Sequence, residues 1–172
     1  DRGFHPLAYR LLCLQAHYRS ELEFTWEGLA AAFTRLKRMV LAAERLADAT
    51  SGDPGHQKFA DLRTKFSAAM ANDLNTAVAL TALEDALGVK KVDAGVKRAV
   101  VEEMDSVLGL ELFTLTRRDL RIRPANAKVD EAEIEAELLR RKEARLAKDF
   151  ITSDAIRETL AAKGVEMMDG DP

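Results

Sequence analysis

Residues 25–47 read TWEGLAAAFTRLKRMVLAAERLA, and this stretch decides the class of fold. Its apolar side chains recur at alternating steps of four and three residues, at Leu29, Phe33, Leu36, Val40, Ala43 and Ala47. This spacing places them on one side of an α-helix of about six turns, and such a stripe is typical of a helix in a bundle. Thr25 is a suitable N-cap, and Glu27 lies close to the positive end of the helix.

The same periodicity predicts four more helices, over residues 6–19, 57–71, 75–88 and 93–108. Pro6 suits a first helical turn, Asn75 is a plausible cap, and Gly88 is a typical stop. Because the connections are short, neighbouring helices are expected to run antiparallel. The sequence therefore predicts a mainly α fold, in which an antiparallel helical bundle forms a first domain over residues 1–109.

The composition changes after residue 109. Residues 110–129 lack helical periodicity, and over 114–128 a single acid, Asp119, accompanies five bases: Arg117, Arg118, Arg121, Arg123 and Lys128. We interpret 110–129 as a basic linker between two domains. Its four arginines are also candidates for phosphate contacts that do not depend on base sequence.

A second, small domain is predicted over residues 130–172. A long charged helix is expected over 130–148, and a shorter one follows up to Lys163 and ends at Gly164. Residues 165–168 alternate weakly and could form a short strand. This part of the chain is thus expected to be a helical hairpin with at most a short strand.

The composition also limits the possible functions. With 172 residues, 47% of them hydrophobic, the chain can bury a core, and a net charge of −3 requires any nucleic-acid binding to be local. The single cysteine, Cys13, excludes an internal disulfide and a zinc site made only of cysteines. The sequence holds no Gly-rich phosphate loop, nucleophile elbow or His/Cys cluster, so it predicts no catalytic residue and no metal ligand.

Localisation is inferred from what the sequence does not contain. No apolar run approaches the roughly 18 residues of a membrane span, and no signal peptide opens the chain. We therefore expect a cytoplasmic protein. Because the first residue is Asp1 and not methionine, we expect the sequence to begin within a longer protein.

Two motifs lie in the predicted bundle. Residues 4–10 read FHPLAYR and residues 17–20 read HYRS. Together they resemble the start of the helical bundle in cysteinyl-tRNA synthetases, where AYR looks like a variant of the DALR signature of anticodon-binding domains. Residues 70–77, MANDLNTA, are similar to a second motif of this family, in which two acids precede Leu or Phe-Asn-Thr-Pro. The chain departs from it with Asn72 for the first acid and Ala77 for the proline.

A third match, which resembles the family's small C-terminal domain, consists of Arg141, Ala144, Arg145, Lys148, Asp149, Phe150, Asp154, Ile156, Arg157, Leu160, Gly164, Val165, Asp169 and Gly170. The three matches cover essentially the whole chain. The resemblance implies the C-terminal half of a class I aminoacyl-tRNA synthetase, with a bundle that braces tRNA and a small domain that grips the anticodon. By position, Arg145, Phe150, Asp154 and Asp169 match the family's anticodon-contacting residues.

The resemblance also implies which partners and cofactors belong to the whole enzyme. In this family the ATP and cysteine sites, and the zinc that selects the cysteine thiol, lie in a catalytic domain that precedes these segments. We therefore expect the parent protein to be an ATP-dependent cysteine–tRNA ligase and this fragment alone to be non-catalytic. The expected partner is the tRNA for cysteine, without a membrane, and the expected state is monomeric.

The chemistry of the four anticodon candidates agrees with that role. Proteins read RNA loops by stacking splayed bases on flat side chains and by bonding their Watson–Crick edges. A carboxylate accepts two hydrogen bonds from the N1–H and N2–H of guanine, and an arginine stacks on a base or donates to its acceptors. Simpler alternatives stay open: Arg145 and Asp154 could form an exposed ion pair, Phe150 could belong to the core, and Asp169 could be a turn residue.

Two other functions stay open as well. One is a fragment of the related cysteine–inositol-sugar ligase, although that enzyme lacks the small domain that residues 130–170 resemble. The other is a helical protein-interaction module without an RNA partner.

Overall fold

The computed structural model describes residues 2–122, 129–165 and 167, and the structural statements below concern these residues. Among them are seven α-helices and no β-strand, which confirms the mainly α fold. None of the described helices is both long and apolar enough to cross a membrane. In chain order the helices are α1 (Pro6–Leu14), α2 (Trp26–Glu44), α3 (Ala60–Ala71), α4 (Thr76–Gly88), α5 (Ala94–Leu108), α6 (Glu131–Leu146) and α7 (Phe150–Ala162).

The two N-caps predicted from the sequence, Thr25 and Asn75, are both present in the structure. The Thr25 hydroxyl accepts the backbone N–H of Gly28 at 3.0 Å at the start of α2. The Asn75 side-chain oxygen accepts the N–H of Val78 at 3.3 Å at the start of α4. Each cap satisfies a backbone donor that has no partner within its own helix.

The first compact unit spans Gly3–Ile122 and contains α1 to α5. Helix α1 packs on α2, α3 packs on α4, α4 packs on α5, and α4 also contacts α1 and α2. The stripe on α2 faces this core, since Leu29, Phe33, Leu36, Val40 and Ala43 are each at most 5% exposed. The stripe that the periodicity predicted therefore forms part of the core, and α4 is the helix that contacts each of the other four.

Two helices of the first unit end at least three residues earlier than predicted, and side chains near each end contact other parts of the unit. Helix α1 stops at Leu14 instead of residue 19. Just beyond its end, the Tyr18 hydroxyl donates to the Asp73 carboxylate at 2.6 Å. Helix α2 stops at Glu44 instead of residue 47. The Arg98 guanidinium donates to the backbone carbonyls of Ala47 and of Ala49 just beyond it.

The structure differs from the predicted linker over residues 110–129. Residues 110–122 belong to the first unit, and Leu110, Leu112 and Leu120 are each at most 2% exposed. The chain leaves α5 through Gly109, whose φ of 64° is the left-handed conformation that glycine adopts without strain. Residues 123–128 lie outside the described residues. The boundaries proposed for the two domains otherwise stay a prediction.

The second unit contains α6 and α7, which pack against each other as a helical hairpin. Few side chains of this hairpin are buried: Ala144, Ser153, Ile156 and Leu160. After α7 the chain turns at Gly164, which has a φ of 83°. The strand predicted over residues 165–168 is not seen at Val165 or Met167, and its other two residues lie outside the described part of the chain.

Candidate nucleic-acid interface

Charges are segregated along α6. Acids occupy its first half and bases its second, with Glu143 as the exception: Glu131, Glu133, Glu135 and Glu137 precede Arg140, Arg141, Lys142 and Arg145. Acids near the N-terminus and bases near the C-terminus of a helix both interact favourably with its dipole. As a result the end of α6 that meets the turn to α7 is basic.

The turn between α6 and α7 is short and fixed by backbone hydrogen bonds. Lys148 adopts a left-handed φ of 60°, and the next N–H, that of Asp149, donates to the carbonyl of Ala144 at 2.8 Å. The Asp149 carboxylate then caps α7 by accepting the N–H of Thr152 at 3.0 Å. Hydrogen bonds from the Thr152 side chain and backbone hold the pKa of Asp149 below its ordinary value. The turn thus sets where α7 begins.

Phe150 and Asp154 both lie on the surface of α7. They are four residues apart, a spacing that places them on one face of the helix. Phe150 is 60% exposed and does not belong to the hydrophobic core, and Asp154 is exposed as well. Arg145 is exposed in the last turn of α6. An exposed ring next to a carboxylate has the chemistry to stack on a base and to accept hydrogen bonds from its edge.

The sequence interpretation missed two apolar side chains at the same turn. Leu146 is 78% exposed and Ile151 is 87% exposed, one on each side of it. Leu146 also lines an open groove of about 340 Å³ along α6, together with Leu138, Arg141, Lys142 and Arg145. The basic run at residues 140–142, directly after the acidic half of the helix, could have indicated the charge of this groove but not the exposure of Leu146 and Ile151.

Of the four arginines predicted to contact phosphates, the three that the structure describes lie in the first unit. Arg117 is exposed and pairs with Glu44, with 3.0 Å between Nε and the carboxylate oxygen, so its charge is partly compensated. Arg118 is exposed and Arg121 is partly buried. Arg123 and the fourth anticodon candidate, Asp169, lie outside the described residues.

The structure brings the two sequence motifs of the bundle together. The Asp73 carboxylate accepts the Tyr18 hydroxyl at 2.6 Å and lies 3.2 Å from Nε of Arg19. The hydrogen bond to Asp73 raises the pKa of Tyr18. Asp73 and Leu74 have φ values of 52° and 54°, a conformation that is strained for residues other than glycine. The contact thus fixes the loop in front of α4 against the end of α1.

The described residues form no candidate metal centre. They hold no group of three or more His, Cys, Asp or Glu side chains placed to bind a metal ion.

Comparison with known proteins gives relatives along the whole chain, while no family model matches it. The chain is 61% identical over 175 residues to a cysteine–tRNA ligase of Novosphingobium aromaticivorans, covering 100% of this chain and 35% of the relative. It is 38% identical over 205 residues to that of Zymomonas mobilis, covering 100% and 40%. It is 42% identical over 169 residues to cysteine–tRNA ligase 1 of Burkholderia lata, covering 98% and 33%. The chain spans between 33% and 40% of the length of these relatives.

Proposed function

The chain is a relative of the cysteine–tRNA ligases along its whole length, and we propose that it is the part of such an enzyme that holds tRNA. On this proposal it corresponds to the C-terminal region, with the α1–α5 bundle bracing the tRNA and the α6–α7 hairpin contacting the anticodon. The parent enzyme joins cysteine to its tRNA with ATP. ATP and zinc belong to the remainder of that enzyme, and this chain alone is non-catalytic.

One observation carries the anticodon assignment: Phe150 and Asp154 are exposed on one face of α7, next to the basic end of α6. Burying an exposed aromatic ring against a nucleobase is favourable, because it removes the apolar surface of the ring from water. The basic residues beside it attract the phosphates of an RNA loop. The exposure of Phe150 supports this role over the core role that the sequence left open.

The geometry of the turn supports a preorganised site. Asp149 fixes the start of α7, so Phe150 is presented at the first position of that helix with its backbone already ordered. A group that is held in place before binding loses less conformational entropy when the RNA arrives. In this proposal Asp154 accepts hydrogen bonds from a guanine edge, and Arg145 stacks on or donates to a neighbouring base.

The test is a titration of the full-length ligase, and of this chain, with cognate and non-cognate tRNA at two salt concentrations. We expect the cognate tRNA to bind more tightly and both affinities to fall with salt, because phosphate contacts release counterions. A full-length protein that binds the two tRNAs equally would contradict the proposal. Equal affinity of both tRNAs for this chain alone would remove anticodon reading from the hairpin.

A further inference from the structure

The segment between α1 and α2 carries an aromatic patch on the surface of the first unit. The patch consists of Tyr9, Phe24 and Trp26. The ring centroids of Tyr9 and Phe24 are 6.2 Å apart, and those of Phe24 and Trp26 are 5.1 Å apart in an edge-to-face arrangement. The three side chains are between 43% and 55% exposed, and Leu22 in the same segment is 40% exposed. Such a contiguous apolar surface is typical of an interaction site.

The same segment is acidic. Glu21, Glu23 and Glu27 alternate with its apolar residues, and residues 21–27 contain no base. All three are exposed, and their carboxylates make no hydrogen bond or ion pair with another residue that the structure describes. The nearest arginine along the chain, Arg19, is engaged with Asp73 at 3.2 Å. The aromatic patch therefore lies within a run of uncompensated negative charge.

This combination selects the chemistry of the partner. Three carboxylates repel the phosphates of RNA, so the patch is unsuited to the ligand proposed for the hairpin. A protein surface that presents Lys or Arg around apolar side chains is complementary to it. The rings would be buried against the apolar groups, and cations would be stabilised both over the ring faces and by the glutamates.

We propose that the aromatic patch docks on a basic, partly apolar surface in the remainder of the full-length ligase. The relatives are much longer than this chain, which covers only 33 to 40% of each of them, so a longer ligase would offer such a surface outside these residues. A covalent tether raises the effective concentration of the two parts, so docking needs a weaker interface than two separate proteins would need. Interfaces between domains of one chain are also more polar than obligate interfaces, in agreement with interleaved glutamates. This inference rests on the proposed function in one respect, that the chain is part of a longer ligase.

The experiment is hydroxyl-radical footprinting of the full-length ligase without tRNA, with this 172-residue chain as the reference. We expect Phe24 and Trp26 to be oxidised at least about threefold more slowly in the full-length protein, because docking excludes solvent from the rings. Phe150, which is 60% exposed in the second unit, is the internal control and is expected to react at the same rate in both.

Reversing the charge of two glutamates tests their role in docking. The double variant Glu21→Lys/Glu23→Lys in the full-length protein should restore oxidation of Phe24 to the rate in the reference chain. The matched control is Asp48→Lys/Asp61→Lys, which changes two exposed acids of the same unit by the same charge and should leave the protection intact.

The outcomes separate this proposal from the proposed function. Equal oxidation of Phe24 in both proteins, or protection that appears only when tRNA is added, would overturn the docking surface. Protection that both double variants retain would overturn the role of charge complementarity. Because tRNA is absent from the assay, a failure of tRNA binding leaves the result unaffected.

Discussion

The carboxylate of Asp105 accepts the backbone N–H of Leu112 at 2.8 Å from within the core of the first unit. Its other oxygen accepts the N–H of Leu110 at 2.9 Å. Asp105 is only 8% exposed, and burial raises its pKa above the ordinary value. This pair of hydrogen bonds holds the segment after α5 against the bundle, where the sequence predicted a linker.

Replacing Asp105 with Asn should destabilise the first unit. The amide keeps one acceptor oxygen but directs an N–H₂ group at a backbone N–H, so one buried donor loses its partner. The expected cost is roughly 1–3 kcal/mol in the free energy of unfolding, measured by urea denaturation at pH 7. The matched control is Asp48→Asn, an exposed acid whose replacement should change stability by less than about 0.5 kcal/mol. Equal effects of the two variants would contradict the assigned role of Asp105.

The pH dependence of this variant follows from the raised pKa of Asp105. Because the folded pKa lies above the unfolded one, the folded state binds the proton more tightly. The wild-type chain therefore loses stability as pH rises from the unfolded pKa of Asp105 through its folded pKa. Asn does not titrate, so the stability difference between wild type and Asp105→Asn should be larger at acid pH than at pH 7. A difference that is constant with pH would show that the pKa is not raised.

The left-handed residues before α4 allow a prediction about strain. Leu74 has a φ of 54° and a side chain that is 54% exposed. The variant Leu74→Gly should be more stable than Leu74→Ala by about 1 kcal/mol, because only glycine adopts this conformation without cost. At the exposed helical position Ala31, alanine should instead be more stable than glycine, and Ala31→Gly should lower the free energy of unfolding by about 1 kcal/mol. Chemical denaturation of the three variants and the wild type measures all these differences.

The sequence predicts those features that depend on local periodicity and capping. The stripe from Leu29 to Ala43, the Thr25 and Asn75 caps and the helical hairpin are all of this kind. Residues 110–122 could not be predicted in this way, because Asp105 and the buried Leu110, Leu112 and Leu120 act through tertiary contacts that leave no periodic pattern.

The same distinction between features set by local spacing and features set by tertiary structure applies to the candidate site. The positions of Phe150 and Asp154 on one helix face follow from their spacing of four residues. The exposure of Leu146 and Ile151 does not, because apolar residues beside a turn are as compatible with a core as with a surface.

The arginines after α5 should contribute binding that does not depend on the anticodon. Changing Arg117, Arg118, Arg121 and Arg123 to Gln in the full-length ligase should weaken cognate and non-cognate tRNA alike. Each phosphate contact that is lost should reduce the slope of log affinity against log salt by about 1. Arg117→Gln alone should have only a small effect, because Glu44 already compensates part of the Arg117 charge. An unchanged slope in the fourfold variant would assign these residues no phosphate contact.

Phe150 should matter for RNA binding and not for folding. Since its side chain is 60% exposed, Phe150→Ser should change the stability of the fold by less than about 0.5 kcal/mol. If the ring stacks on a base, the same variant should weaken cognate tRNA binding by about 1–3 kcal/mol. Ile151→Ser removes a neighbouring apolar side chain that is 87% exposed and has no ring, so it serves as the matched control. Equal losses for the two variants would point to a general apolar contact instead of stacking.

The most direct test of anticodon reading compares Asp154→Asn in the full-length ligase with a tRNA whose anticodon guanine is replaced. If the carboxylate accepts the guanine N1–H and N2–H, the variant replaces one acceptor with a donor, and affinity for the cognate tRNA should fall by about 1–3 kcal/mol. The loss should largely vanish with the altered tRNA, which gives a coupling free energy between the two changes. Effects that add within about 0.3–0.5 kcal/mol would show that Asp154 does not contact the guanine, and would contradict the account.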